Sequence, residues 1–149
     1  MKAFFQTDDS WTGLILRLTL GLVMFPHGAQ KLLGWYGGLG FDGTMGFLTV
    51  TMNLPWLIAI LVVIAEFFGS LGLLVGFLTR FSAASIGVIM LGAITLVHWS
   101  NGFFMNWFGR QPGEGYEYHL LVLGIGIVLT IVGAGRWSVD QQIAQRIAK

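Results

Sequence analysis

The residues of this chain that could do chemistry are the few ionisable side chains inside its apolar segments. Glu66 lies near the middle of an apolar run of 22 residues, 57–78. A carboxylate in the centre of a bilayer costs at least about 2.5–3.5 kcal/mol unless it is protonated, paired or facing a wet cavity. We therefore expect the other apolar segments to supply partners for Glu66.

The first apolar run, residues 14–33, carries three of the candidate partners: Arg17, His27 and Lys31. At 100° per residue, Arg17 and Lys31 fall on one stripe that also contains small and apolar residues, and His27 lies beside it. This stripe should face protein rather than lipid. We expect Arg17 and Glu66 to form a structural ion pair.

The remaining candidates lie near the ends of two later runs, with His98 closing residues 81–99 and with Glu117 and His119 opening residues 116–135. Helical rise places all three histidines, Glu66 and Glu117 between the membrane midplane and one face. The ligand-binding candidates are His27, Lys31, Glu66, His98, Glu117 and His119. No pair has a tight ligand spacing such as HxxxH or ExxH, so we predict no metal site.

Composition indicates an integral membrane protein. The 149 residues are 55% hydrophobic and only 10% charged, whereas soluble domains carry about 25% charged residues. A net charge of +1 gives no basic field for nucleic acid. With no cysteine, the chain has no thiol chemistry of its own, so any redox role would need a bound cofactor or a partner.

The hydropathy pattern predicts an all-α protein, a single domain over residues 1–149 built as an integral membrane four-helix bundle. Its spans should cover about residues 12–34, 56–78, 81–99 and 116–135. The glycine-rich segment 34–55 is too broken for a span and predicts a short interfacial or re-entrant helix. From Ser138 onward, apolar residues recur every four positions, which predicts a C-terminal amphipathic surface helix.

Basic residues predict the orientation of the bundle. One side of a four-span arrangement collects Lys2, Arg17, Arg80, Arg136, Arg146 and Lys149. The other side has Lys31 and Arg110. Both termini should therefore be cytoplasmic, and the loops after the first and third spans should face outward from a bacterial inner membrane.

Several short motifs occur together in a characteristic order. The chain contains HGxxK at residues 27–31, GFDGT at 40–44, LLVGFLTR at 73–80 and GAGRWSVD at 133–140. With NGFFMNWFG at 101–109 and GEGYEYHLL at 113–121, this order and spacing resemble the DoxX family over residues 14–140. The resemblance implies a four-helix inner-membrane protein associated with redox work, including quinone-linked systems. The matching polar positions are Arg17, His27, Lys31, Glu66, Glu117 and Asp140.

The leading hypothesis is a subunit or accessory protein of a membrane redox system, with partner proteins and a quinone-like apolar ligand in the outer half of the bundle. His27, Lys31 and Glu66 could supply the hydrogen bonds and the proton route that a quinone head group needs. One alternative is a carrier or channel for a small solute or protons. Another is a ligand-free membrane scaffold, and a homo-oligomer stays open under each hypothesis.

Overall fold

The computed structural model describes residues 2–147, with side chains from residue 4 onward. This part of the chain contains helices and loops and no strand, which confirms the all-α prediction. Its α-helices are α1 (Lys2–Phe5), α2 (Trp11–Leu33), α3 (Gly40–Gly46), α4 (Trp56–Val75), α5 (Thr79–Ala93), α6 (Glu117–Val132) and α7 (Val139–Ile147). The Lys2 side chain and Lys149, both used to predict the orientation, lie outside the described part.

Between residues 2 and 147, three helical segments are long and apolar enough to cross a membrane: Trp11–Leu33, Trp56–Val75 and Thr79–Asn101. The third consists of α5 and its continuation through a π-helical turn, Ile94–His98, and a 3-10 turn, Trp99–Asn101. α6 is apolar but has 16 residues, a length of about 24 Å against about 30 Å of hydrocarbon. The fourth crossing therefore stays a prediction.

α6 nevertheless extends between the two ends of the bundle. Near its start, the His119 ring lies 4.1 Å from the His98 ring at the end of the preceding helical segment, measured between centroids. Just beyond its other end, the Arg136 amide donates to the Ser10 carbonyl, which precedes α2, at 3.2 Å. The four long helices thus alternate in direction.

Local sequence explains where these helices begin. The Ser10 hydroxyl accepts a hydrogen bond from the Gly13 amide at 3.2 Å and caps α2, as serine does at many helix N-termini. The Ser138 hydroxyl accepts from the Gln141 amide at the start of α7 at 3.2 Å. Pro26 lies inside α2 without ending it.

The main core lies between α2, α4, α5 and α6. It is formed by the buried residues Leu20, Met24, Leu73, Ala83, Ile86, Met90, Val122 and Leu129. A second cluster of Met45, Ala59 and Val63 lies where α3 covers α4. α3 continues as a π-helical turn over Phe47–Thr51, so a short helix follows the first span as predicted.

The outer faces of the long helices carry large apolar side chains. Leu22 is 63% exposed, Val88 68% and Leu121 70%. Leaving such faces in water would forfeit about 1.5–3 kcal/mol for each large apolar side chain, whereas lipid tails accept them. The chain is a membrane protein, and these faces contact the bilayer.

Candidate functional site

Glu66 and Lys31 form an ion pair inside the bundle. The Lys31 Nζ lies 2.6 Å from the Glu66 Oε2. The Glu66 side chain is 4% exposed and the Lys31 side chain 29%, so the carboxylate is the sheltered member. The ammonium neutralises a carboxylate whose burial would otherwise be costly.

Gly28 allows this pair to form by letting α2 and α4 approach closely. A Cβ at Gly28 would lie 2.6 Å from the Phe67 Cα and 2.8 Å from the Glu66 carbonyl carbon. Only a residue without a side chain fits so near another helix backbone. Because Lys31 is one turn beyond Gly28 on the same stripe, its side chain reaches Glu66.

A cavity of about 540 Å³ opens above this pair. The polar residues that line it are His27, Lys31, Glu66, His98, Glu114, Tyr118 and His119. The rest of its wall is apolar and comes mainly from α4, from the α5 segment and from the π-helical turn after α3, including Phe47, Ile58, Val62, Val88 and Leu96. The cavity therefore has an ionic end and a long apolar side.

Four rings follow one wall of the cavity from α2 to the end of the α5 segment. The ring centroids of His27 and Tyr118 are 6.2 Å apart, those of Tyr118 and His119 5.5 Å, and those of His119 and His98 4.1 Å. The Tyr118 hydroxyl donates to the Met24 sulfur at 3.6 Å. Imidazole and phenol groups can each donate and accept protons.

His98 and His119, whose rings are neighbours, differ in their hydrogen bonds. The His98 Nδ1 lies 2.8 Å from the Glu114 carbonyl oxygen. A carbonyl can only accept, so Nδ1 carries the proton and Nε2 of a neutral His98 is left as an acceptor. Within the described part of the chain, the buried Nδ1 of His119 has no hydrogen-bond partner, which leaves it available to a ligand or a water molecule.

Five of the six predicted ligand-binding residues line this cavity: His27, Lys31, Glu66, His98 and His119. Glu117 lies elsewhere. Its carboxylate accepts hydrogen bonds from the Met105 amide at 2.9 Å and from the Trp107 indole at 3.3 Å. Residues two positions apart on a helix point about 200° away from each other, so Glu117 points away from the cavity when His119 faces it. Glu117 anchors the 102–116 loop instead.

The structure corrects the predicted Arg17–Glu66 ion pair, because Glu66 binds Lys31 instead. Arg17 is 2% exposed, and within the described residues its guanidinium donates to backbone carbonyls alone. The acceptors are Ala134 at 3.0 Å, Leu73 at 3.1 Å, Leu74 at 2.6 Å, Arg136 at 3.4 Å and Trp137 at 3.0 Å. Arg17 thus joins the C-terminal end of α4 to the loop after α6, where helix carbonyls lack partners.

The sequence interpretation missed two polar residues of the cavity lining, Tyr118 and Glu114. The buried residues of α6 are His119, Val122, Gly126 and Leu129, an inward stripe with spacings of three and four. Tyr118 is four residues before Val122, so this period places it at the edge of the stripe. The signal was therefore present, but a tyrosine near a helix start also fits a membrane interface.

No group of three or more His, Asp or Glu side chains within the described part of the chain is arranged to hold a metal ion. The polar groups that meet in the cavity are an ammonium, a carboxylate, imidazoles and a phenol. They can donate and accept hydrogen bonds and exchange protons with a bound polar group.

Comparison with known proteins adds relatives to this geometry. The chain is similar to "Putative oxidoreductase CatD" of Bacillus subtilis (strain 168), with 28% identity over 117 residues, 78% of this chain and 77% of that protein. It is also similar to "Inner membrane protein YqjF" of Escherichia coli (strain K12), with 29% identity over 114 residues, 76% of this chain and 82% of that protein. No solved structure gives a significant match.

The family model DoxX matches residues 12–99. This range contains α2 to α5 and with them His27, Lys31, Glu66 and His98, while α6 supplies Tyr118 and His119 from beyond it. The order of motifs along the chain had indicated the same family. The match covers more than half of the 149 residues, and the chain belongs to the DoxX family.

Proposed function

We propose that this protein is a subunit or accessory protein of a membrane redox system and that it binds the head group of a quinone-like ligand at the ionic end of the cavity. The observation that carries the proposal is the Lys31–Glu66 pair, 2.6 Å apart, at one end of a mostly apolar cavity of about 540 Å³. Sites for small apolar ligands combine such walls with a few well-placed polar groups.

The chemistry of a quinone fits these groups. The Lys31 ammonium can donate a hydrogen bond to a quinone carbonyl. The Glu66 carboxylate can accept one from a quinol hydroxyl. Interconversion of the two forms moves two electrons and two protons. His27 and Tyr118, whose rings are 6.2 Å apart beside the pair, would exchange the protons.

The electrons would come from or go to a cofactor of a partner protein, because the chain has no cysteine to exchange them. The name of one relative, "Putative oxidoreductase CatD", supports a redox setting. The name of YqjF supports the inner membrane. We extend both statements to this chain as part of the proposal.

The proposed arrangement has four membrane crossings in a single domain, with the cavity in the outer half and both termini in the cytoplasm. Arg17 and Arg80 support this orientation, because both lie at the same end of the bundle. There Arg17 binds the Ala134 carbonyl and Arg80 binds the Ile131 carbonyl, at the C-terminal end of α6. Lys31 lies at the opposite end of α2. A preponderance of arginine and lysine at one end of a bundle is typical of its cytoplasmic side.

Binding of a quinone with a ten-carbon tail to the purified protein in nanodiscs would test the proposal. We expect wild type to be stabilised against heat by the quinone, and Glu66→Gln to bind roughly tenfold or more weakly, since a charge-assisted hydrogen bond is worth about 1.5–3 kcal/mol. Lys31→Gln should have a similar effect. Asp9→Asn is the matched control, because it breaks the surface ion pair with Arg136 and leaves the cavity intact.

Two results would contradict the proposal. One is a wild type that shows neither thermal stabilisation nor quinone in an organic extract of the membrane-purified protein. The other is a folded Glu66→Gln variant that binds quinone as wild type does. Proton flux into quinone-free proteoliposomes, abolished by Glu66→Gln, would instead support the carrier hypothesis.

A further inference from the structure

The cavity continues sideways because α4 and α5 separate towards their outer ends. In the inner half the two helices touch: a Cβ at Gly72 would lie 2.9 Å from the Ser82 Oγ, and one at Gly69 would lie 3.7 Å from Ile86. In the outer half, Ile58 and Val62 of α4 line the cavity. Residues of the α5 segment line the opposite side, so the cavity occupies the gap between the helices.

Several residues of this gap are exposed on the outside of the bundle as well as to the cavity. Ile58 is 46% exposed, Val88 68% and Leu96 56%, and all three are cavity-lining residues. Their exposed faces belong to the apolar surface that contacts lipid. The cavity is therefore open towards the bilayer between α4 and the α5 segment.

Gly92 lies at the centre of this opening. It lines the cavity, and no atom lies within 4 Å of the position where its Cβ would be. Above and below it, the lining residues Ile89 to Val97 span about 12 Å along the helix. This space is long and mostly apolar, and the Lys31–Glu66 pair is part of its lining.

We propose that this α4–α5 cleft, formed by Ile58, Val62, Val88, Gly92 and Leu96, is a subsite for the isoprenoid chain of a lipid-soluble quinone that enters from the bilayer. The chain lies in the cleft with its far end in lipid, and the head group reaches Lys31 and Glu66. The identity of the head group rests on the proposed function. The opening of the cleft to lipid does not.

The absence of cysteine allows the opening to be tested with one spin label at a time. The label is placed at Gly92→Cys, at Gly124→Cys as a lipid-facing control on α6, and at Arg110→Cys as a water-facing control in the loop. Gly124, like Gly92, has no atom within 4 Å of the position where its Cβ would be, but it does not line the cavity. Collision rates with oxygen and with a water-soluble nickel chelate are then measured in vesicles.

We expect the label at position 92 to collide with oxygen as the label at position 124 does, and to be shielded from nickel. Collision with nickel at the level of position 110 would show an opening to water and overturn the proposal. Shielding from both reagents would show a closed cleft, for example one covered by a second copy of the chain, and would also overturn it.

The chain subsite is tested with paired quinones and paired variants. Gly92→Leu fills the cleft, whereas Gly124→Leu adds the same side chain outside it. We expect Gly92→Leu to weaken binding of a ten-carbon-tailed quinone roughly tenfold, through lost burial of about two methylenes, and to change binding of a tail-less quinone less than about threefold. Gly124→Leu should change neither.

Equal weakening of both quinones by Gly92→Leu would overturn the chain subsite, as would no weakening of either. If wild type binds neither quinone, the proposed head group fails while the spin-label measurement still decides whether the cleft opens to lipid. A change in the mobility of the label at position 92 on transfer from detergent into phospholipid, with no further change when quinone is added, would assign the cleft to an acyl chain and overturn the quinone proposal.

Discussion

Replacing Arg17 by methionine should destabilise the bundle strongly. Methionine preserves much of the apolar stem of the side chain but removes the guanidinium, which donates to five backbone carbonyls. Three of these bonds, to Ala134, Leu74 and Trp137, are no longer than 3.0 Å. The substitution would leave acceptors at the end of α4 and in the loop after α6 without their donor.

The size of the effect follows from those three shorter bonds. At about 1–1.5 kcal/mol net for each hydrogen bond, their loss costs about 3–4.5 kcal/mol of unfolding free energy. At about 3 °C for each kcal/mol in a chain of this length, the melting temperature should fall by roughly 9–14 °C. Arg17→Lys should recover less than half of this, since one ammonium cannot reach carbonyls of both segments.

The assay is thermal unfolding in detergent, followed by the intrinsic fluorescence of the six tryptophans. Arg146→Met is the control, since it removes an exposed arginine from α7 near the same end of the bundle and should leave the melting temperature within about 1 °C. An Arg17→Met protein that melts with wild type would refute the role of Arg17 as a carbonyl donor between segments. Full recovery by lysine would show that charge alone matters.

Three further predictions concern packing, capping and pH. Gly28→Ala should lower the free energy of unfolding by about 1–3 kcal/mol, because the added methyl pushes α2 away from α4. Gly46→Ala is the control, since open space surrounds its Cβ position, and thermal unfolding should show no such loss. Asp140→Asn should lower the free energy of unfolding by about 1–2 kcal/mol in the same assay, because the carboxylate accepts the Leu78 and Thr79 amides at the start of α5 at 2.8 and 2.9 Å. Hydrogen bonding to Arg136 holds the pKa of Asp9 below its ordinary value of 3.8. The ion pair therefore adds its full stability above the ordinary pKa, and this stability is lost as pH falls through the lowered pKa. The melting difference between wild type and Asp9→Asn should therefore be constant from pH 7 to about pH 5 and vanish in stronger acid; a difference that grows in acid would contradict this.

The fold class could be predicted from local sequence because membrane insertion depends on properties that neighbouring residues share. Long apolar runs form helices in lipid, where every backbone group must be satisfied within the segment. Ser10 and Ser138 mark helix starts by the same local logic. Spacing also identified the inward face of α2, on which Arg17 and Gly28 are buried.

Which polar groups meet was decided by tertiary structure alone. Helical periodicity fixes directions within one helix, but not how far another helix is rotated or shifted against it. Lys31, rather than Arg17, reaches Glu66 because α4 approaches α2 at Gly28. Arg17 instead contacts carbonyls 56 or more residues away in sequence, and carbonyls leave no mark in a sequence because every residue has one.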